Sequence, residues 1–406
     1  MRVLVSFVVA VYLASVLHVD NWGIVAGFLS LGTMGGFFIQ YGFFYTGPRH
    51  VAATSHSADR LRETVLPILI VKCVLVLLWA CVLSVLFLVV PFINKYWWFL
   101  PGSFVLSLSQ GLTLAWYYHG IEKFRRFSLY EGIGRSGSLV VVLLYIRSPE
   151  QAHAALTAFA LPTLLVTIIL HIPLIKRIGF QWVACDKVVM CVRESFHGFL
   201  SKLYGVFIST ANPFLLTFFL KESQIGNYSL AERAVFAAFM VAGVLSQILM
   251  PQFVRGKEFP FKQYWSRFRR ALYVSVLLAF ATSLLLFACS FILVPILGVE
   301  YLRSATLLRW LAWLPLLPAV STVCTYCHLL VFNKDRWFSR SMFWSMVVNL
   351  LGIPLCVSLW EDAGMVIVAY AAQITVTTIA AYYTYQAYVS GKSDSRKVIS
   401  MDANKC

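Results

Sequence analysis

Apolar stretches recur along the whole chain, each near the ~20 residues needed to cross a hydrocarbon layer of about 30 Å. Lipid offers the backbone no hydrogen-bond partner, so only helices and closed barrels span it. These runs are too long and too continuously apolar for barrel strands. Hydropathy places the spans near residues 2–18, 23–46, 65–90, 97–117, 128–146, 153–174, 199–220, 226–252, 271–296, 306–331, 340–359 and 364–387. The expected architecture is an all-α integral membrane protein of about twelve transmembrane helices in two six-helix halves.

With 60% hydrophobic and 12% charged residues among 406, little sequence remains for a water-soluble domain. The net charge of +16 would raise the question of nucleic acid in a soluble protein. Here the basic residues fall in alternate connections: Arg49, Arg60 and Arg62; Lys123, Arg125 and Arg126; Lys176 to Lys202; Arg255 to Arg270; Lys334 to Arg340; and the tail from Lys392. The intervening connections hold little more than Lys95, Arg147, Lys221 and Arg303. That asymmetry marks the first set as cytoplasmic and puts both termini inside. Nucleic acid is not an expected partner; membrane lipids are. Residues 1–18 also begin as a signal peptide does, but no small-residue cleavage site follows, so the segment reads as a first span from a late-placed start.

The longest basic connection divides the chain into a first half, 1–178, a cytoplasmic connection, 179–198, a second half, 199–388, and a cytoplasmic tail, 389–406. A faint repeat supports the division. Tyr12-Leu13 through Asn21-Trp22-Gly23-Ile24 resembles Leu215-Leu216 through Gln224-Ile225-Gly226-Asn227, with Arg49 and Arg255 at corresponding inner ends. Paired halves with substrate at their interface are a recurring transporter plan.

Three motifs have plainer readings than their patterns invite. Gly132-Ile-Gly134-Arg-Ser-Gly137 matches a dinucleotide fingerprint but lacks the surrounding βαβ unit, so it reads as small residues at a helix contact. Cys324-Thr-Tyr-Cys327-His328 matches a haem-attachment pattern but lies deep in a span, where helix packing is the expectation. Asn227-Tyr228-Ser229 is a glycosylation sequon at a tight membrane boundary and carries no argument. The scattered cysteines have neither disulfide nor metal-ligand spacing, and no metal or cofactor is expected.

A charge at the bilayer centre costs roughly 2.5–3.5 kcal/mol or more and is normally balanced by a partner or a wet cavity. Lys72, Glu131, Arg135, Glu232, Arg233 and Arg309 lie inside or at the edges of spans, and Arg49 closes the second. The excess is cationic, which suits an anionic phosphate or diphosphate. For Lys72 and Arg309 the competing reading is snorkelling, and for Glu232–Arg233 a structural ion pair.

Residues Gln40-Tyr-Gly42-Phe-Phe-Tyr-Thr-Gly47-Pro-Arg49-His-Val-Ala52, Trp116-Tyr-Tyr-His-Gly120-Ile-Glu122-Lys123-Phe and Ile225-Gly226-Asn-Tyr228-Ser229-Leu-Ala231-Glu232-Arg233 resemble, in order and spacing, segments of Wzx-type polysaccharide flippases. The resemblance implies the multidrug/oligosaccharidyl-lipid/polysaccharide (MOP, MATE-like) exporter superfamily. It further implies alternating-access translocation of an undecaprenyl-diphosphate-linked oligosaccharide, such as an O-antigen repeat unit, across the bacterial inner membrane. Arg49, Lys72, Arg135, Arg233 and Arg309 are then candidates for the anionic cargo, with Gly42, Gly47, Glu122, Glu131, Tyr228 and Glu232 as motif or coupling candidates. Coupling to an H+ or Na+ gradient, and partnership with a polysaccharide polymerase and a chain-length regulator, are further expectations. The competing classes are a membrane-embedded polymerase or ligase, another lipid or drug exporter of the superfamily, and a structural assembly protein. The short outer connections and the lack of paired carboxylates or a nucleophile triad speak against an enzyme.

Overall fold

A computed structural model describes residues 2–54, 57–179, 184–256 and 259–403. Among them there is no strand. Among the described residues seven helices are long and apolar enough to cross a membrane, or eight with one bent pair, which makes the chain a multi-pass membrane protein. The chain forms two compact units, Met1–Ser229 and Leu230–Cys406.

The first unit opens with α1 (Arg2–Gln40), which is interrupted at His18 by a left-handed backbone (φ 61°). After another positive φ at Tyr41, 49°, come α2 (Phe43–Thr54), α3 (Ala58–Val89) and α4 (Pro91–Lys95). The span expected at 23–46 is therefore broken at Tyr41, next to the buried Gly42, which packs closely on another helix. Then come α5 (Leu100–Gly111), α6 (Ala115–Gly120), α7 (Phe124–Tyr145) and α8 (Ala155–Ile178). Next are α9 (Cys185–Ser209), which begins inside the stretch read as a connection, the short α10 (Asn212–Leu216), and the start of α11 (Glu222–Arg255).

Small residues build the centre of this unit, as expected where lipid removes the hydrophobic drive between helices. Ser103 and Ser107 of α5 donate to the Phe28 and Gly32 carbonyls of α1 at 3.0 and 2.9 Å, and the Trp79 indole donates to Ser107 at 3.0 Å. The fingerprint-like glycines of α7 do what helix contact requires. A Cβ on Gly134 would lie 3.2 Å from Thr163 Cα, and one on Gly137 would lie 3.3 Å from Pro162, both on α8.

The second unit continues α11 into α12 (Phe261–Leu297), α13 (Leu302–Leu311), α14 (Leu316–Cys324) with a π-helical turn at Thr325–Leu329, and α15 (Asp335–Ala403). α15 is broken at Glu361, where φ is 51°. Hydroxyls again bridge helices: Ser275 to the Ala319 carbonyl at 3.1 Å and Ser345 to that of Ala372 at 2.9 Å. Cys324, Cys327 and His328 are packed inside the unit. Tyr264 donates to the Cys327 carbonyl at 2.8 Å and its oxygen lies 3.1 Å from His328 Nδ1, so this motif is helix packing.

At the α15 break, Arg303 grips Asp362 through Nε and Nη2 at 2.8 and 2.6 Å, while Asp362 is only 1% exposed. Arg303→Ala leaves that carboxylate buried without its charged donors. Discounted for the half-exposed guanidinium, the loss is about 1–2 kcal/mol, read as a lower melting temperature in detergent; an unchanged melting temperature would show the pair to be idle.

Candidate functional site

Two of the three sequence motifs meet in space. Gly47 on α2 faces Trp116 on α6, where an added Cβ would sit 2.8 Å from the indole. Gly120 abuts Val51 and the Pro48 carbonyl, and the Phe44 and His119 rings stand 6.1 Å apart. Each motif supplies the flat surface the other's bulky residue needs. Arg177, in the last turn of α8, donates to the Tyr117 hydroxyl at 3.3 Å and joins the same cluster.

Gly42 serves a second contact. A Cβ there would collide with the Ser195 carbonyl of α9 and lie 2.9 Å from Phe199 N, so α2 and α9 cross backbone against backbone. Thr46 and Ser195 share a hydroxyl bond of 2.7 Å, Tyr41 stacks on Phe199 at 4.6 Å, and His50 Nε2 lies 3.2 Å from Glu194. Arg49 is exposed beside this contact.

Lys72 lies beneath the motif cluster and is fully buried. Its ammonium donates to the carbonyls of Gly111 and Thr113 at 2.8 and 3.1 Å and lies 5.8 Å from the Trp116 ring centroid. A helix C-terminus exposes unpaired carbonyls and partial negative charge, and Lys72 satisfies both where α5 ends inside the unit. The structure thus gives this candidate a structural partner set rather than the snorkelling route.

The third motif lies elsewhere. Gly226 on α11 packs on Gly23 of α1: a Cβ on Gly23 would strike the Glu222 carbonyl and sit 2.9 Å from Gly226 N, and one on Gly226 would strike the Val19 carbonyl. These are the glycines that the faint repeat makes equivalent. Tyr228, two residues on, is 1% exposed. Beside the crossing, Lys95 Nζ at 3.0 Å and the Tyr96 hydroxyl at 2.6 Å both engage Glu222 Oε1. These three residues carried no motif in the sequence, and the pairing spans 127 positions. The pairing raises the proton affinity of Lys95 above the usual lysine range, chiefly through its hydrogen bonds with Tyr96 and Glu222.

The other candidates are dispersed. Glu131 and Arg135 pair with each other on α7 at 2.9 Å. Glu122 is exposed in the turn before α7, with φ 57°. Glu232 is buried and Arg233 half-buried at the start of the second unit. Arg309 donates to Ser290 at 3.2 Å and lies over the Phe291 ring.

The sequence family described as polysaccharide biosynthesis protein matches residues 1–257, a stretch that contains all three motifs. The chain belongs to that family. A protein of Escherichia coli (strain K12) named "Putative O-antigen transporter" is 22% identical over 378 residues, covering 91% of this chain and 89% of its own. A protein of the same name from Shigella dysenteriae is 22% identical over 369 residues, covering 90% and 91%. Among solved structures, an inward-facing multidrug resistance MATE family transporter of the MOP superfamily superposes with a TM-score of 0.68 at 12% identity, covering 97% of this chain and 96% of its own. The lipid II flippase MurJ, in an inward closed conformation, superposes with a TM-score of 0.65 at 12% identity, covering 94% and 86%. These superpositions establish a shared fold, and the sequence resemblance to Wzx-type flippases stands with them.

Membership in the polysaccharide biosynthesis family leaves the role of Lys72 to be tested directly. Lys72→Met keeps the apolar stem and strips two buried carbonyls of their donor. The expected result is a loss of about 1–3 kcal/mol of stability, seen as less folded protein and a lower melting temperature. A variant of normal stability that fails only in activity would instead place the ammonium against cargo.

Proposed function

We propose that this protein is a flippase that moves lipid-linked oligosaccharide repeat units across the bacterial inner membrane by alternating access, performing no covalent chemistry. The observation that carries the reading is end-to-end similarity to curated O-antigen transporters, covering about nine-tenths of both chains. Family membership and the fold shared with a lipid II flippase point the same way. The cargo is an undecaprenyl-diphosphate-linked O-antigen unit or a related surface polysaccharide.

On this reading the chain crosses the membrane twelve times. The breaks at His18 and Glu361 support that count by dividing α1 and α15, and the interrupted segments 97–120 and 185–216 each supply one crossing. The basic connections place both termini in the cytoplasm. Arg49, Arg135, Arg233 and Arg309 are the guanidinium groups offered to the diphosphate or to acidic sugars, for which fork-shaped donors are well suited. Lys72 holds the end of α5 for them. An H+ or Na+ gradient drives the cycle, with Glu131 and Glu232 as its titratable candidates. A polymerase and a chain-length regulator receive the exported units.

In a strain deleted for the gene, single lipid-linked units should accumulate with their sugars toward the cytoplasm. Outward-facing single units would assign the chain to polymerisation or ligation instead. Arg233→Ala should lower surface polysaccharide several-fold while membrane protein stays at its normal amount; full activity in that variant removes Arg233 from the cargo site.

A further inference from the structure

On α12, Phe280, Leu284, Phe287 and Phe291 recur at intervals of four, three and four residues, which places them on one helix face. Phe280, Leu284 and Phe291 are exposed and Phe287 is half-buried, so the face stays largely uncovered. Trp313, in the turn after α13, completes it. Its ring lies 6.0 Å from Phe280 and 6.1 Å from Phe287, and Phe287 meets Phe291 edge to face at 5.4 Å. The four rings form a continuous row that ends at a charge.

That charge is Arg309 of α13. Its Nε donates to the buried Ser290 hydroxyl at 3.2 Å, and its Cζ lies 4.4 Å from the Phe291 ring centroid. Ser290 gives its own proton to the Phe287 carbonyl at 2.6 Å, so its oxygen is free to accept. One edge and one face of the guanidinium are thereby fixed on α12. Among the described residues its Nη atoms have no protein acceptor and no carboxylate pairs with it; the buried Asp362 is taken by Arg303. Ser290 and Arg309 each stand eight residues from the turn at 298–301, one before it and one after it. At 1.5 Å per residue both lie roughly 12 Å below that turn. The side chain therefore runs level to its partner instead of climbing toward water, which sets the snorkelling reading aside.

Free guanidinium donors suit a phosphate or diphosphate, whose oxygens accept from both Nη atoms at once. Depth decides whose phosphate it is. Resident lipids keep theirs in an interfacial layer of about 5–7 Å on each side of the hydrocarbon core, and the charge of Glu300 keeps the turn in that layer or in water. Arg309 lies deeper, where a phosphate belongs to a lipid in passage between leaflets. From Arg309 the ring row runs down α12 toward the middle of the membrane. In lipid an apolar wall gains nothing from excluding water, so it selects a chain by closeness of fit. The flat trisubstituted double bonds of an isoprenoid lie well against ring faces; a saturated acyl chain has no flat unit to offer them.

We infer that Arg309, Phe280, Phe287, Phe291 and Trp313 form a subsite of the second unit for the carrier end of the cargo, the guanidinium taking the diphosphate and the rings the first isoprene units. This deepens the flippase reading and rests on it. Arg309 then serves the lipid anchor rather than the sugars, and the subsite is indifferent to which saccharide is attached.

The purified full-length protein in detergent is titrated with radiolabelled geranylgeranyl diphosphate, which has the anchor's chemistry without a sugar, and the bound label is competed with inorganic diphosphate or phosphatidylglycerol. Arg309→Gln should weaken binding of both diphosphates about tenfold, as expected for losing a hydrogen-bonded charge. Phe280→Leu with Phe287→Leu should weaken the prenyl compound several-fold and leave inorganic diphosphate unchanged. Because that pair keeps Arg309 and most of the apolar volume, it tests the subsite even where Arg309→Gln does not fold. Wild-type affinity for geranylgeranyl diphosphate in either folded variant overturns the inference. Phosphatidylglycerol that competes as well as unlabelled geranylgeranyl diphosphate also overturns it, by showing a site for resident lipid. The expected binding pattern in a protein whose deletion strain accumulates no cytoplasm-facing repeat units keeps the subsite and removes the flippase reading. Cytoplasm-facing units in that strain, with wild-type binding in both variants, keep the flippase reading and remove the subsite.

Discussion

Helices in lipid gain nothing from hiding apolar side chains from one another, so close approach of their backbones has to supply the contact. In the first unit such approaches include Gly32 and Gly36 of α1 on α5, Gly23 on Gly226, and Gly42 on α9. Buried hydroxyls bond beside the first and the last, through Ser103 and Ser107 and through Ser195 with Thr46, while the Lys95–Glu222 pair lies beside the Gly23–Gly226 crossing.

The treatment of charge follows the same economy. Lys72, fully buried in the first unit, is held by the carbonyl end of α5, which stops inside the unit. A helix end and a cation that would each be unfavourable alone satisfy each other. Because α5 stops at Gly111, α6 can turn away and carry Trp116 and Tyr117 against α2. The motif cluster therefore depends on a charge whose purpose hydropathy could not disclose.

What the sequence made legible was whatever depends on composition over a span: the apolar helices, their alternating basic flanks, the packing role of Gly134 and Gly137, and the helix packing at Cys324–His328. The repeat even singled out Gly23 and Gly226 as equivalents, although nothing in it said that they touch. Less legible was anything set by one residue's backbone or by a distant partner. A hydropathy window passes over Tyr41 because a positive φ leaves the apolar average unchanged, whereas the break at Glu361 falls in the gap between the spans read at 340–359 and 364–387. The Lys95–Glu222 pair joins α4 to α11 across 127 positions, and only the fold makes them partners. Glu131 and Arg135 stood together in the sequence at the start of a span, but their pairing at 2.9 Å shows only in the structure.

The sharp turns at His18 and Glu361 reach beyond their own helices. Each reverses the chain with almost no intervening loop, and on the proposed orientation both face the periplasm. At these two turns the chain leaves little polypeptide for a soluble protein to grasp. On the flippase reading, a factor that receives the exported sugar would gain more from approaching within the bilayer, helix against helix, than from docking on these turns. Hand-off would then be governed by lateral encounter in the plane of the membrane, and its rate would follow the crowding of that plane.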